Sequence, residues 1–153
     1  MQLKRLLTTL GLLFSLIVIP SAVTALTETV SPKETHQAED YKTIHAKELK
    51  EWIDSGKHMV LIDARPKKFE EGVVIKGAKF LPFDSDDAKI IHTLPSKDAV
   101  IVVYCASIKC PASGKLAHKL TSMGYKHVYK YPEGIEDWMD KDYPLDNVVP
   151  GKQ

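Results

Sequence analysis

The sequence predicts an α/β fold in which a doubly wound parallel sheet carries helices on both faces. Short apolar runs rich in β-branched residues alternate with segments whose apolar residues recur at helical spacing. The most apolar of these runs, at residues 99–104, is continuous rather than alternating, which is typical of a strand buried on both faces of a parallel sheet. No internal repeat or low-complexity tract interrupts the order of elements.

The first predicted elements are a strand, a helix and a second strand. Residues 41–44 fit a short strand. Apolar side chains then recur at helical spacing at Ala46, Leu49 and Ile53, and a Ser-Gly pair ends that helix. Residues 59–63 form a mainly apolar run, which indicates a buried parallel strand.

The next part of the chain is predicted to contain a loop, a strand and a short helix. Residues 65–77 are assigned mostly to loop because they include one proline and two glycines. Residues 78–81 fit a short strand that a proline closes. Aspartates and a serine at residues 84–87 supply capping groups for a short helix, and Pro95 stops it.

The last predicted elements are two strands, each followed by a helix. The strand at residues 99–104 precedes a helix with an apolar stripe, and a strand at residues 127–131 precedes a helix at residues 134–139. Two prolines indicate an irregular tail after residue 145. The stripe consists of Ala112, Leu116, Leu120 and Met123.

The first 25 residues are predicted to be a secretory signal peptide. Lys4 and Arg5 precede an apolar stretch at residues 6–19, and a small-residue cleavage site lies at residues 23–25. The apolar stretch is shorter than the roughly 20 residues that a membrane-spanning helix needs. We therefore expect an exported protein, in a compartment such as a bacterial periplasm, with no membrane attachment after cleavage.

The remaining chain is expected to form one domain with a flexible leader and a short tail. Residues 26–40 are polar and rich in Thr and Glu, which is typical of a flexible segment. The predicted domain spans residues 41–145, and the tail spans residues 146–153. The whole chain has a formal net charge of +1, so no nucleic-acid partner is expected.

The two cysteines of the chain, Cys105 and Cys110, lie in one loop with C-x4-C spacing. This loop follows the most apolar predicted strand and precedes a predicted helix. Main-chain N–H groups in such a loop can turn inward, and the helix dipole adds positive potential. A thiolate or a transferred anionic sulfur would be stabilised there, so we expect the chemistry of the protein in this loop.

The ordered motifs of the chain resemble the rhodanese-like domain over roughly residues 41–145. Three segments carry the resemblance, and their order and spacing together make it specific. They are Leu61-Ile62-Asp63-Ala64-Arg65-Pro66 with Phe69 and Gly72; Gly77-Ala78 with Leu81-Pro82; and Val102-Val103-Tyr104-Cys105 with Gly124-Tyr125, Val128-Tyr129, Gly134 and Trp138.

The resemblance implies a sulfurtransferase in which Cys105 carries sulfane sulfur as a persulfide and passes it to a thiol or other nucleophile. It also implies a cradle of main-chain amides that holds the outer sulfur. Where the family usually has an arginine in this loop, the chain has Cys110, which leaves less charge to hold a thiosulfate dianion. A small or protein-bound persulfide is therefore the more credible donor. The cradle residues are Ala106, Ser107, Ile108, Lys109 and Cys110.

Several alternatives stay open at this stage. Cys110 is either a resolving thiol that forms a disulfide with Cys105 or a packing residue. Three functions also stay open for the whole protein: a sulfurtransferase, a thiol–disulfide redox protein, or a non-catalytic binding module with a protein partner. Asp63 and Arg65 are expected to tie the loop regions together through an ion pair or through backbone hydrogen bonds. No metal or cofactor is implied, and a phosphatase is excluded because C-x5-R chemistry requires an arginine that the loop lacks.

Overall fold

The computed structural model describes residues 40–69, 72–94 and 96–148. The predicted signal peptide, residues 26–39 of the predicted leader, Pro95 and the end of the tail lie outside the described residues. Among the helices of the described part, none has the length and apolar character that crossing a membrane requires.

Seven strands and four α-helices make up the described chain. The elements run in the order β1 (Lys42–Thr43), α1 (Ala46–Asp54), β2 (Val60–Asp63), β3 (Gly72–Ile75), β4 (Lys79–Phe80), α2 (Asp87–Thr93), β5 (Val100–Tyr104), α3 (Ala112–Ser122), β6 (His127–Tyr131), α4 (Gly134–Asp140) and β7 (Leu145–Val148). A short 3₁₀ helix at Lys67–Phe69 lies between β2 and β3.

Five strands form a central sheet in the order β1-β6-β5-β2-β4, and every neighbouring pair is parallel. The mainly parallel α/β fold predicted from the sequence is confirmed. The chain moves outward from β2 to β4, then crosses back to β5 and continues through β6. The strand order therefore reverses between β2 and β5, and such a reversal opens a crevice at the carboxyl ends of the two strands.

Helices cover both faces of the central sheet, because the side chains of its strands alternate between two apolar clusters. Along β5, Ile101 and Val103 belong to the cluster beneath α2 and α3, whereas Val102 and Tyr104 belong to the cluster beneath α1 and α4. All four side chains are fully buried. The alternation continues to Cys105, which faces the side of α2 and α3.

The loop predicted for residues 65–77 and the irregular tail predicted after residue 145 are both partly wrong. β3 and β7 instead pair antiparallel in a separate two-stranded sheet, with Gly72 opposite Val148 and Ile75 opposite Leu145. β3 carries two buried apolar side chains, Val74 and Ile75. Because β7 lies some seventy residues after β3 in the chain, no local sequence pattern predicts that the two strands pair.

Candidate active site

The predicted site residues gather at the crevice between β2 and β5. Asp63 and Tyr104, the last residues of these two strands, are register partners. The main-chain N–H of Ala64 donates to the carbonyl of Tyr104 at 2.9 Å and joins the two loops where they leave the sheet. Arg65 and Cys105 follow directly, so the ligand-binding edge of the fold brings together the two segments that the sequence singled out.

Cys105 and Cys110 are joined by a disulfide, with their Cα atoms 6.2 Å apart. That separation lies within the usual range for a disulfide. Cys105 is 1% exposed and belongs to the apolar cluster beneath α2 and α3, while Cys110 is partly exposed at the margin of that cluster. Of the two arrangements that the sequence left open, the structure therefore has the bonded pair.

The predicted amide cradle needs a correction at Cys110. Its main-chain N–H donates to the carbonyl of Ser107 at 2.9 Å and closes a tight turn, so this amide does not face the sulfur of Cys105 as a free donor. For the N–H groups of Ala106, Ser107, Ile108 and Lys109, the described residues provide no hydrogen-bond acceptor. These four amides remain the candidate donors to a bound anion.

The start of the cysteine loop is held by α4. The N–H of Ile135 donates to the carbonyl of Cys105 at 2.9 Å, and the N–H of Glu136 donates to the carbonyl of Ala106 at 3.0 Å. Gly134 makes this approach possible, because a Cβ placed there would lie 2.5 Å from the carbonyl oxygen of Cys105. Its φ of +73° is also left-handed. In the sequence, Gly134 stands out only as a motif residue and as a helix start.

Asp63 and Arg65 form the predicted ion pair, which the structure confirms. Arg65 grips the carboxylate of Asp63 through Nε at 2.9 Å and Nη2 at 2.6 Å, and Nη2 also donates to the carbonyl of Val73 at 2.7 Å. The Tyr104 hydroxyl donates to Asp63 at 3.1 Å and accepts from the N–H of Ile75. Burial, and next the charge of Asp63, raise the pKa of Tyr104 well above its ordinary value, which keeps this hydroxyl protonated.

Beside the cysteine loop lies an open cavity of about 270 Å³ with an acidic wall. From the cysteine loop, Ser107 and Ile108 line the cavity, and Cys105 is not among its lining residues. Ile108 is 73% exposed at the tip of the loop. The rest of the lining consists of four acidic residues from the segment that includes α4: Glu133, Glu136, Asp137 and Asp140.

Two of these carboxylates have partners inside the domain. Glu133 contacts Nδ1 of His45 at 2.7 Å, and Asp137 accepts hydrogen bonds from the Tyr131 hydroxyl at 2.6 Å and from Lys141. Burial acts to raise the pKa of Asp137, but the hydrogen bonds from Lys141 and Tyr131 outweigh it, so this pKa lies below its ordinary value. Asp137 therefore stays anionic at neutral pH.

The acidic residues at 84–87 lie at the start of α2, where they cap the helix and pair with a neighbouring one. The side chain of Asp86 accepts from the N–H of Lys89 at 2.7 Å and caps the helix, as predicted. Asp87 forms an ion pair with Lys119 of α3 at 2.9 Å. Within residues 40–69, 72–94 and 96–148, no group of three or more His, Cys, Asp or Glu residues is arranged to hold a metal ion.

The chain is similar to a known protein family and to a longer relative. Residues 45–141 match the rhodanese-like domain family. Over 109 residues, covering 71% of this chain, the sequence is 30% identical to MoeZ of Mycobacterium tuberculosis, a probable adenylyltransferase/sulfurtransferase. The matched region spans only 27% of that relative.

Two solved structures share the fold. The BH2092 protein of Bacillus halodurans superposes with a TM-score of 0.63 at 24% identity, covering 71% of this chain and 77% of its own. The rhodanese-like domain of the Alr3790 protein from Anabaena gives a TM-score of 0.61 at 21% identity, covering 72% of this chain and 83% of its own.

Proposed function

The chain belongs to the rhodanese-like domain family, and on that premise we propose that it is a sulfurtransferase whose Cys105 carries sulfane sulfur as a persulfide. The observation that carries the proposal is the position of Cys105 at the carboxyl end of β5, beside the reversal of strand order, where this class of fold binds its ligands. The similarity to MoeZ, a much longer probable sulfurtransferase, supports the same activity.

The proposed reaction begins with the thiolate of Cys105. It attacks the sulfane sulfur of a donor, forms a new S–S bond and displaces the rest of the donor as a thiolate or, from thiosulfate, as sulfite. The free amides of residues 106–109 and the amino terminus of the eleven-residue helix α3 stabilise the resulting anionic sulfur. Because Cys105 is bonded to Cys110, a dithiol must first reduce the loop.

The protein is also proposed to act after export, in a compartment such as the bacterial periplasm. An oxidising compartment of this kind is compatible with the disulfide of the cysteine loop. The sulfur donor is then a small sulfane-sulfur compound or a protein that bears a persulfide.

A persulfide on Cys105 can be detected by its mass. After reduction, removal of the reductant and exposure to thiosulfate or an inorganic polysulfide, the Cys110→Ser variant should gain about 32 Da, one sulfur atom, on Cys105. Cys105→Ser should gain nothing on residue 110. Intact-mass and peptide mass spectrometry measure both, and the absence of an adduct on Cys105 with either donor would overturn the proposal.

The acidic wall of the cavity leads to a prediction about the donor. Carboxylates next to Ser107 and Ile108 repel a dianion, so Glu136→Lys should increase the rate of persulfide formation from thiosulfate several-fold at low salt. The increase should shrink at high ionic strength, where such charges are screened. A neutral dialkyl trisulfide is the control donor, and an equal rate increase with it would contradict the electrostatic explanation.

A second candidate function is thiol–disulfide exchange, and the bonded pair of cysteines favours it. In that case the oxidised chain would accept electrons from a dithiol without any sulfur donor, and neither single-cysteine variant would carry a persulfide. The adduct on Cys105 therefore separates this candidate from the sulfurtransferase. A binding module would show neither reaction and would bind its partner equally well after Cys105→Ser.

A further inference from the structure

We propose that Cys110 is the first acceptor in the reaction, so that the protein converts sulfane sulfur to hydrosulfide and ends each turnover with the Cys105–Cys110 disulfide. This inference rests on the proposed persulfide at Cys105 and adds the fate of its sulfur. On this proposal, the disulfide seen in the structure is the product of the reaction and not a bond that serves only to stabilise the fold.

The loop geometry places the two sulfurs within bonding reach of one another. Their Cα atoms are 6.2 Å apart, and main-chain hydrogen bonds fix both ends of the loop. The carbonyls of Cys105 and Ala106 accept from α4, and the N–H of Cys110 closes the turn onto Ser107. Because these bonds do not involve the sulfurs, they can persist when the disulfide opens, and Cys110 then stays poised beside Cys105.

Proximity favours Cys110 over an external thiol in the attack on the inner sulfur of the persulfide. Any external thiol must reach Cys105 from solution, whereas Cys110 already lies within bonding reach of Sγ of Cys105, as the disulfide between them shows. An intramolecular thiol avoids the loss of translational freedom that a second molecule would suffer, so Cys110 reaches the inner sulfur of the persulfide first.

The proposed step balances in atoms and electrons. The thiolate of Cys110 attacks Sγ of Cys105, the Sγ–Sγ bond forms, the bond from Cys105 to the outer sulfur breaks, and hydrosulfide leaves. The outer sulfur is reduced, and the two cysteines are oxidised to the disulfide. With thiosulfate as donor, one turnover yields one sulfite and one hydrosulfide, and an external dithiol must then reduce the loop.

The same geometry identifies where the reducing thiol attacks. Cys110 is the more exposed of the two bonded cysteines, so the incoming thiol should bond to Cys110 and release Cys105 as the leaving thiolate. The amides of residues 106–109 and the amino terminus of α3 are the candidate groups to stabilise the departing Cys105 thiolate. Reduction thus regenerates the sulfur-accepting residue directly.

A single-turnover experiment tests the acceptor role. The anaerobically reduced full chain is mixed with thiosulfate, and in parallel with a polysulfide, in the absence of other thiols. With thiosulfate the native chain should release one hydrosulfide per molecule, and with either donor it should lose both free thiols and gain no sulfur. Cys110→Ser and Cys110→Ala should instead retain the added sulfur on Cys105 and release no hydrosulfide from thiosulfate.

The outcomes distinguish this inference from the function on which it rests. A stable persulfide on native Cys105, with Cys110 still reduced, would overturn the acceptor role and leave the sulfurtransferase intact. Failure of both Cys110 variants to take up sulfur from either donor would overturn both. His58→Ser is the control, because His58 is exposed just before β2, at the opposite edge of the sheet from the cysteine loop, and should behave as the native chain.

The site of reduction is tested by trapping. The oxidised chain is treated briefly with limiting glutathione, quenched with an alkylating agent and cleaved with trypsin. Cleavage after Lys109 places the two cysteines in separate peptides, residues 98–109 and 110–115. Glutathione should be found on the Cys110 peptide and the alkyl group on the Cys105 peptide, and the reverse distribution would overturn the proposed direction of attack.

Discussion

Arg65→Ala is expected to lower the free energy of unfolding by about 3–5 kcal/mol, the range found when one partner of a buried ion pair is removed. The variant would leave the carboxylate of Asp63, which is 0% exposed, without its guanidinium partner. It would also remove the donor to the carbonyl of Val73 on β3. Chemical denaturation monitored by tryptophan fluorescence measures the change.

An exposed ion pair provides the matched control for Arg65. Lys126 contacts Asp98 at 2.7 Å, and both side chains are about two-thirds exposed. Lys126→Ala should therefore destabilise the protein far less than Arg65→Ala, because solvent screens a surface pair. Equal losses of stability in the two variants would show that burial does not set the strength of the Asp63–Arg65 pair. Arg65→Lys should recover little, because a lysine cannot reproduce the two-nitrogen grip on Asp63.

The central sheet could be predicted from the sequence because each of its strands corresponds to a short sequence pattern that is visible locally. The continuous apolar run of β5 reflects burial on both faces, and the helical stripes on α1 and α3 reflect burial on one side. β3 and β7 could not be predicted in this way, because the pairing that defines them is not visible in any local pattern. Their stability comes from pairing with each other across the length of the domain, while their sequences resemble loops with glycine or proline nearby.

The candidate site was predictable in its chemistry and less so in its geometry. The position of Cys105 after a buried strand is a local feature, and so is the proximity of Cys110 in the sequence. Whether the two sulfurs bond depends on the curvature of the loop, which the C-x4-C spacing leaves open. The placement of the Cys110 amide in the cradle is wrong because the sequence does not indicate the tight turn onto Ser107.

Two other features of the site depend on residues that are distant in the sequence. In the sequence, the carboxylates at the start of and along α4 look like ordinary surface acids, and only the fold places them in one cavity with Ser107 and Ile108. They are Glu133, Glu136, Asp137 and Asp140. Gly134 is an ordinary helix start until α4 meets the carbonyl of Cys105. The close approach at Gly134 becomes visible only when the atoms around that glycine are known in three dimensions.

Gly134→Ala is expected to destabilise the protein and displace the cysteine loop. Alanine would strain the backbone at a φ of +73°, and its Cβ would lie 2.5 Å from the carbonyl oxygen of Cys105 and 2.7 Å from that of Ala106. Left-handed backbone costs roughly 1–2 kcal/mol, and overpacking adds typically about 1–3 kcal/mol. We therefore expect a loss of about 2–5 kcal/mol in unfolding free energy.

Gly124→Ala separates the two contributions, because Gly124 has a comparable φ of +86° but a Cβ at this position would meet no atom within 4 Å. This control should show only the backbone cost and should react with sulfur donors at the native rate. In Gly134→Ala, the bonds from Ile135 and Glu136 to the loop must lengthen, so hydrosulfide release should slow along with the loss of stability. Equal stability and equal rates in the two variants would mean that close contact with α4 does not position Cys105.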